Sequence, residues 1–210
     1  MNAQSKFPTG IAGAAERSHE EMKPVLFAPD ATGPNTHYYM IRGGSQLGNI
    51  TAWVPGTIGG EYIKAFGHYH ITDFVETYTV INGEGVMVMQ KRGNTNDVLE
   101  SFIAVKLTKG QSISIPAFWG HGMINTGIEW LVTVDDSPVS VPNNNSDSKE
   151  ADAPSHADYE PIRTQKGFGY YLLEGEKNAI EFVKNSTYTT LPEVRFFDSV
   201  TEFNQFIAHA

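Results

Sequence analysis

Three histidines and one glutamate are the residues of this sequence with the clearest capacity for chemistry. His68 and His70 stand two positions apart, Glu76 follows after five intervening residues, and His121 comes much later. On an extended strand alternate side chains leave the same face, so the first two imidazoles point together. Three imidazole nitrogens and one carboxylate oxygen suit Fe(II), Mn, Ni or Zn and leave coordination positions open for a substrate. These residues therefore predict a catalytic divalent metal site.

The part of the chain that positions these ligands has the pattern of β-structure. Between His37 and Val134, short runs of β-branched and aromatic residues are separated by Gly, Pro and Asn. Asn82-Gly83 is a tight-turn signal, because both residues tolerate positive φ. The predicted strands are His37–Ile41, Asn49–Val54, Tyr62–His70, Val75–Ile81, Gly85–Gln90, Phe102–Leu107, Ser112–Ile115, Trp130–Val134 and Phe168–Leu173. We therefore expect an all-β sandwich or barrel, in which a double-sheet jelly roll would protect the sheet edges.

Outside this region the sequence changes character. The expected division is residues 1–36 as an N-terminal arm, 37–210 as a single domain, 135–157 as a polar loop and 199–208 as a C-terminal helix. The polar loop is rich in Pro, Asn and Ser and is either a surface linker or a lid over the site. The helix is indicated by a capping box of Ser199 and Glu202. An apolar stripe of Val200, Phe203, Phe206 and Ile207 follows on one helical face.

Composition excludes several classes of function. No run of 18 apolar residues occurs, so no membrane helix and no membrane partner are expected. The formal net charge of -9 opposes nucleic-acid binding, which needs clustered Lys and Arg. There is no cysteine, and residues 1–20 lack the order of a signal peptide. We therefore expect a cytoplasmic protein, in which any phosphate site is built locally from backbone N–H groups, hydroxyls or single basic residues.

Two stretches of the sequence resemble the two cupin motifs. The first runs from Gly67 through the three early metal-ligand candidates to Gly83, and the second runs from Gly110 through Pro116 and His121 to Asn125. Two departures stand out. The gap before Glu76 is longer than in the general cupin pattern, and Phe118 stands where that pattern has Gly.

Those departures point to one group of cupins, because the sequence resembles the archaeal-type (cupin) glucose-6-phosphate isomerase family. The matching pieces are Gly67-His68-Tyr69-His70, Glu76-Thr77-Tyr78, Gly83-Glu84-Gly85, Pro116-Ala117-Phe118-Trp119-Gly120-His121, Ile124-Asn125-Thr126-Gly127 and Lys166-Gly167-Phe168. The likeness covers roughly residues 49–173. It implies a cupin jelly roll that interconverts glucose 6-phosphate and fructose 6-phosphate as a homodimer.

The resemblance also implies roles for individual residues. The metal ligands would be His68, His70, Glu76 and His121, with Fe(II) as the first expectation and Zn, Mn or Ni as alternatives. Glu76 is the carboxylate best placed to move a proton between C1 and C2 of the sugar, and a hydride shift is the competing route. The substrate would be contacted by Thr51, Gly67, Tyr78, His156 and Tyr159. Tyr78 could equally pack the strand, and His156 and Tyr159 could be surface residues.

One departure bears on the substrate. The family has a second phosphate-binding Thr three residues before the first metal-binding His, and this chain has Ala65 there. Losing that hydroxyl removes a hydrogen bond to an anion, which is worth about 1.5 to 3 kcal/mol. Lys64 is not an obvious substitute, because neighbouring strand residues face opposite sides. Ala65 therefore leaves a sugar-binding cupin without turnover as one alternative. A dioxygenase or decarboxylase acting on a small organic acid is another, because it could use the same ligand set with Fe or Mn.

Overall fold

The chain folds into two six-stranded β-sheets and a smaller four-stranded sheet. The computed structural model describes residues 14–45, 48–137 and 157–208. The strands in this part of the chain are β1 (Ala14–Ser18), β2 (Thr36–Ser45), β3 (Gly48–Trp53), β4 (Thr57–Ile58), β5 (Glu61–Tyr62), β6 (His68–His70), β7 (Glu76–Asn82), β8 (Glu84–Arg92), β9 (Leu99–Thr108), β10 (Ser112–Ile115), β11 (Gly120–Ile124), β12 (Leu131–Asp135), β13 (Ala157–Asp158), β14 (Tyr170–Glu174), β15 (Ile180–Lys184) and β16 (Arg195–Phe197). The α-helices are α1 (His19–Met22), α2 (Glu160–Thr164) and α3 (Val200–Ala208), with 3-10 turns at Lys23–Val25 and Glu176–Asn178.

The sheet order is that of a jelly roll. One large sheet runs β1-β2-β3-β12-β7-β10, the other runs β13-β6-β11-β8-β9-β16, and the small sheet runs β15-β14-β5-β4. Neighbouring strands are antiparallel except for β16, which lies parallel to β9. Apolar side chains from both large sheets, including Val80, Ile113, Val88 and Phe102, form one buried core. The expected all-β fold of the cupin type is confirmed.

Two strand predictions need correction. The predicted strand Tyr62–His70 is interrupted, because Gly67 has a φ of +83° and an extended chain cannot continue through it. β11 was missed altogether. All of its residues are buried, so it shows no polar alternation, and two of its five residues are glycine. The ring of Phe168 packs over Gly67 and Gly122, where a Cβ would lie 2.3 and 2.7 Å from its Cζ atom.

The N-terminal residues that the structure describes are tied to the large sheets. β1 pairs with β2, and Ser18 and Glu21 form a capping box at the start of α1. A buried ion pair joins Lys64 to Glu61, and Lys64 Nζ also donates to the carbonyl of Val25 at 2.6 Å. Glu61 in turn accepts from the backbone N–H of Phe27 at 2.8 Å. The division at residue 36 stays a prediction, although residues on both sides of it share one sheet.

The C-terminal helix is confirmed as α3. Ser199 Oγ accepts from the N–H of Glu202 at 3.2 Å, as the capping box predicts, whereas the Glu202 carboxylate accepts from Asp198 rather than from Ser199. Val200 and Phe203 are buried, so the helix packs through its apolar side. In the described part of the chain, no helix has the length and apolar character needed to cross a bilayer.

Candidate metal centre

The four predicted metal ligands come together where three strands meet. β6 supplies His68 and His70, the first residue of β7 supplies Glu76, and β11 supplies His121. β11 lies next to β6 in the sheet, with His121 opposite His68. A short turn between β6 and β7 brings the glutamate back towards the two histidines. His68 and His121, about fifty residues apart in the sequence, are therefore brought together by a single strand pairing.

The ligand atoms of these residues lie close enough to share one cation. One donor atom from each of the four residues can be chosen so that all lie within 4.8 Å of one another. Glu76 Oε2 is 3.0 Å from the Nε2 atoms of both His70 and His121. The His68 and His121 rings are 4.5 Å apart, centroid to centroid. Bonds of about 2.0 to 2.2 Å allow donors to be up to about 4.4 Å apart, so only a slight contraction is needed. The donor set and its spacing thus fit a divalent transition metal.

Glu76 is held as an anion in this cluster. Burial alone would raise the pKa of Glu76, but hydrogen bonds from His121 and His70 outweigh it and lower the pKa far below its ordinary value. The two carboxylate oxygens differ in their partners. Oε2 faces the two imidazoles, whereas Oε1 accepts a hydrogen bond from the hydroxyl of Ser137. The carboxylate is therefore both ionised and fixed in orientation.

Ser137 belongs to a buried hydrogen-bond chain that the sequence did not reveal. Its N–H donates to Asp135 Oδ1 at 3.1 Å, and the Asn49 side-chain amide donates to the same oxygen at 2.9 Å. Burial, together with the nearby charge of Glu76, raises the pKa of Asp135. A usable signal exists, because Asp135 shares strand parity with the buried Leu131 and Thr133 and therefore faces inward. The predicted polar loop 135–157 includes Asp135 and Ser137, which lie in and just after β12, and its residues 138–156 lie outside the described residues.

Replacing Ser137 with Ala is expected to weaken metal binding about tenfold. The substitution removes the donor that orients Glu76, and loss of a partner that orients a ligand costs about 10- to 100-fold in metal affinity. Metal affinity is measured by competition with a chromophoric chelator. Ser112→Ala is the matched control, because Ser112 is exposed and bonds only to Thr79 among the contacts resolved for it. Equal affinity of both variants and the parent would remove Ser137 from this role.

The predicted substrate-contact residues lie in different settings. Thr51 is buried on β3 in register with Thr133 of β12, and strand alternation points it inward. Gly67 lies under Phe168, so its lack of a side chain is required by packing alone. A contact between either residue and substrate stays a prediction. His156 lies outside the described residues.

Two predicted tyrosines face the metal ligands. Tyr78 is half-buried on β7 with its hydroxyl 3.5 Å from His121 Nε2. Burial, with a contribution from the charge of Glu76, raises the pKa of Tyr78 well above its ordinary value. Tyr159 packs its ring 5.3 Å from the ring of His68. The hydroxyl of Tyr78 is therefore neutral at physiological pH and can serve as a hydrogen-bond donor beside the cluster.

The residue that departs from the general cupin pattern has an unusual backbone. Phe118 has a φ of +65°, the left-handed region that a glycine at this place adopts freely. Its side chain is 54% exposed, three residues before His121. Left-handed conformations of non-glycine residues cost on the order of 1 kcal/mol. The chain therefore keeps an exposed aromatic side chain three residues before His121 at a cost in backbone strain.

Comparison with known proteins agrees with this geometry. The family model described as "Glucose-6-phosphate isomerase (GPI)" matches residues 38–190. A glucose-6-phosphate isomerase of Thermococcus onnurineus is 31% identical over 137 residues, which cover 64% of this chain and 60% of that protein. One from Thermococcus litoralis is 35% identical over 113 residues, or 51% of this chain and 52% of that protein. The alignments thus span between about half and three fifths of these relatives.

Likeness to solved structures is more remote. A predicted oxalate decarboxylase from Thermotoga maritima has 15% identity and a TM-score of 0.37, covering 58% of this chain and 88% of that chain. Because the TM-score and the identity are both low, this similarity says nothing about the reaction.

Proposed function

This chain belongs to the glucose-6-phosphate isomerase family, and on that premise we propose that it interconverts glucose 6-phosphate and fructose 6-phosphate with the help of a divalent metal. The observation that carries the proposal is the convergence of His68, His70, Glu76 and His121 within the family-matched residues. Fe(II) is the first expectation for the metal, with Zn, Mn and Ni as alternatives for the same donors.

The proposed metal has a limited task. When bound by the three histidines and the glutamate, a divalent ion would act as a Lewis acid that stabilises negative charge developing on the sugar oxygens. The protein's own side chains and backbone would bind and orient the sugar. Tyr78, beside His121, is placed to donate a hydrogen bond to a sugar oxygen. The inward-facing Thr51 and the backbone at Gly67 are proposed to contact other parts of the substrate.

Glu76 is the proposed proton carrier between C1 and C2. Its low pKa keeps it ionised at neutral pH, which a base requires, but the same low pKa makes it a weak proton acceptor. Proton abstraction therefore requires Glu76 to leave or share the metal that it would hold together with His70 and His121. A direct hydride shift between the two carbons does not have this requirement and is the competing route.

The function is tested by an anaerobic assay of the purified protein. Interconversion of the two sugar phosphates without oxygen is the expected result. Oxygen consumption, or release of carbon dioxide from small organic acids, would instead support a dioxygenase or decarboxylase. Binding of sugar phosphate with no product after long incubation would indicate a sugar-binding protein. The cytoplasmic location expected from the sequence stays a prediction, to be checked by cell fractionation.

A homodimer is part of the proposal, because the outer face of one large sheet is apolar. Strand alternation places Ile50 and Ala52 of β3 on the side opposite the inward-facing Thr51. The residues in register with them on β2 and β12 are also apolar, namely Tyr39, Ile41, Val132 and Val134. Ala52 and Val134 are already buried within the single chain, whereas Ile50 and the other three residues are half-buried. We propose that a second copy of the chain covers the half-buried part of this face.

Ile50→Lys is accordingly expected to convert the dimer to a monomer. A lysine in the middle of this face would place a charge in an apolar interface, which costs several kcal/mol when it finds no partner. Light scattering coupled to gel filtration measures the mass. Ile128→Lys is the control, since Ile128 is 94% exposed in a loop and its substitution should leave the mass unchanged. A parent protein that is monomeric at micromolar concentration would refute the dimer.

A further inference from the structure

None of the residues described so far supplies a positive charge for the phosphate group of the substrate. Ala65 lacks the hydroxyl that relatives use, and the structure shows that Lys64 is committed elsewhere. Lys64 is 2% exposed, paired with Glu61 and bonded to the Val25 carbonyl. With a formal net charge of -9, the protein as a whole repels a phosphate dianion. A single basic group close to the candidate metal ligands would offset this repulsion.

Arg17 is such a group, brought in by the N-terminal strand. On β1 it lies in register with Tyr38, whose hydroxyl accepts from the N–H of Phe66 at 3.3 Å. The guanidinium carbon is 6.0 Å from the centre of the Phe66 ring. Phe66 in turn lies 6.0 Å from the ring of Tyr159, which is 5.3 Å from His68. Arg17 is thus separated from a metal ligand by only two aromatic rings.

Tyrosine hydroxyls connect the two ends of this path. Tyr38 is buried, which raises its pKa, and the charge of Arg17 partly offsets that rise. Tyr159 interacts electrostatically with Arg17, with Tyr38 and with Tyr78. Tyr78 reaches His121 at the other end. Hydroxyl groups thus lie between a guanidinium and the candidate metal ligands, and hydroxyls in such a place can hydrogen-bond a sugar with a phosphate at one end.

The Arg17 guanidinium is hydrogen-bonded to the Tyr38 hydroxyl, and its remaining N–H donors leave room for an anion. Its Nε atom is buried and has no hydrogen-bond partner among the described residues. Among the described residues, Arg17 forms an ion pair with Glu21, whose Oε1 is 3.7 Å from an Arg17 nitrogen and so beyond hydrogen-bond distance. Glu21 is already engaged by the N–H and hydroxyl of Ser18 at 2.7 and 2.8 Å. The Arg17 side chain is 28% exposed, so a ligand can reach it.

We propose that Arg17 binds the phosphate group of the substrate, supplying from the N-terminal strand the contact that Ala65 cannot make. A phosphate on C6 lies at the opposite end of the sugar from C1 and C2, as Arg17 lies at the opposite end of the tyrosine path from His121. Arg163, 5.4 Å from the same Phe66 ring, adds a second positive charge nearby. The proposal rests on the proposed isomerase function, and Arg17 lies outside the family-matched residues 38–190.

The test compares phosphorylated with unphosphorylated ligands. For Arg17→Ala, the KM for fructose 6-phosphate is expected to rise about 10- to 100-fold, the effect of losing a charge-assisted hydrogen bond, with kcat changed less than about twofold. Inorganic phosphate binding, measured by calorimetry, should weaken by a similar factor. Turnover or binding of fructose should not change. Arg195→Ala is the matched control, because Arg195 covers the Phe206 ring at 5.3 Å in the same kind of contact.

Several results would overturn the proposal. One is an unchanged KM and unchanged phosphate binding in Arg17→Ala. Another is an equal loss of affinity for fructose and its phosphate, which would mark a purely structural role. If Arg17→Ala fails to fold, Arg17→Gln keeps much of the stem and carries the same expectations. A parent protein that binds phosphate through Arg17 but turns over no sugar phosphate would refute the isomerase function alone.

Discussion

Glu76→Gln is expected to lower kcat for sugar-phosphate isomerisation by about a thousandfold, within the range of about 10²- to 10⁴-fold that a positioned acid–base group contributes. Gln has nearly the same shape, so the strand and its neighbours should stay in place. What is lost is the negative charge between His70 and His121, with the capacity of Oε2 to accept a proton. Initial rates of glucose 6-phosphate formation measure the effect, and metal analysis of the same sample should show that part of the metal is retained.

Deuterium incorporation by the parent protein separates proton transfer from a direct hydride shift. Turnover of the parent in deuterium oxide should place deuterium at C1 or C2 if Glu76 moves a proton through a group that exchanges with solvent. No incorporation at all would rule against proton abstraction and leave Glu76 as a metal ligand. Glu84→Gln is a suitable control, since Glu84 is half-buried at the start of β8 and pairs only with Lys106 among the ion pairs found. Parent-like turnover by Glu76→Gln would exclude any catalytic role for Glu76.

Removing the metal is expected to abolish activity and to lower the melting temperature by about 10 °C. A ligand present at 1,000 times its Kd stabilises the folded state by about 4 kcal/mol, and about 2 to 4 °C is gained per kcal/mol in a chain of this size. Without the cation, three imidazoles would be left packed around a carboxylate in a buried site. Chelator treatment followed by dialysis, metal analysis, activity assay and calorimetry measures both effects.

Two controls make the chelation result specific. Adding back Fe(II), Zn, Mn and Ni in turn should restore activity to different degrees and so identify the working ion. His121→Ala, already deprived of one ligand, should respond little to chelator. His37→Ala is a matched histidine control, because His37 is buried but bonds to His19 rather than to the cluster. Full activity in a sample shown to be metal-free would refute metal dependence.

The convergence of the four candidate metal ligands could be predicted from sequence because their spacing encodes local geometry. The i, i+2 histidines require only strand alternation, and Glu76 requires only a short turn. His121 could be placed through its resemblance to a known motif, although the strand that carries it was not recognised. Gly120 and Gly122 dilute its β-propensity, and Tyr69 and Phe168 occupy the space that their side chains would fill. Such packing of rings onto glycines is not visible before the sheets are assembled.

The sequence could not predict the positions of groups that depend on pairing between distant strands. Ser137 follows a strand and precedes a polar stretch, and nothing local says that its hydroxyl turns back to Glu76. Arg17 lies in a segment taken as an arm, and only its pairing opposite Tyr38 brings it towards Phe66. In both cases the informative fact is which strand is the neighbour. Sequence patterns give the face of a strand more readily than they give its partner.

The buried ion pair of Lys64 and Glu61 has a practical consequence for trimming this protein. Lys64 also donates to the Val25 carbonyl, and Glu61 also accepts from the Phe27 N–H. Both of these partners lie upstream of the family-matched residues 38–190. Cutting the gene at that boundary would leave a dehydrated ammonium and carboxylate each short of one contact, at about 1 to 3 kcal/mol apiece. A minimal domain drawn from alignment alone would therefore be prone to misfold during expression, whereas one starting before β1 would not.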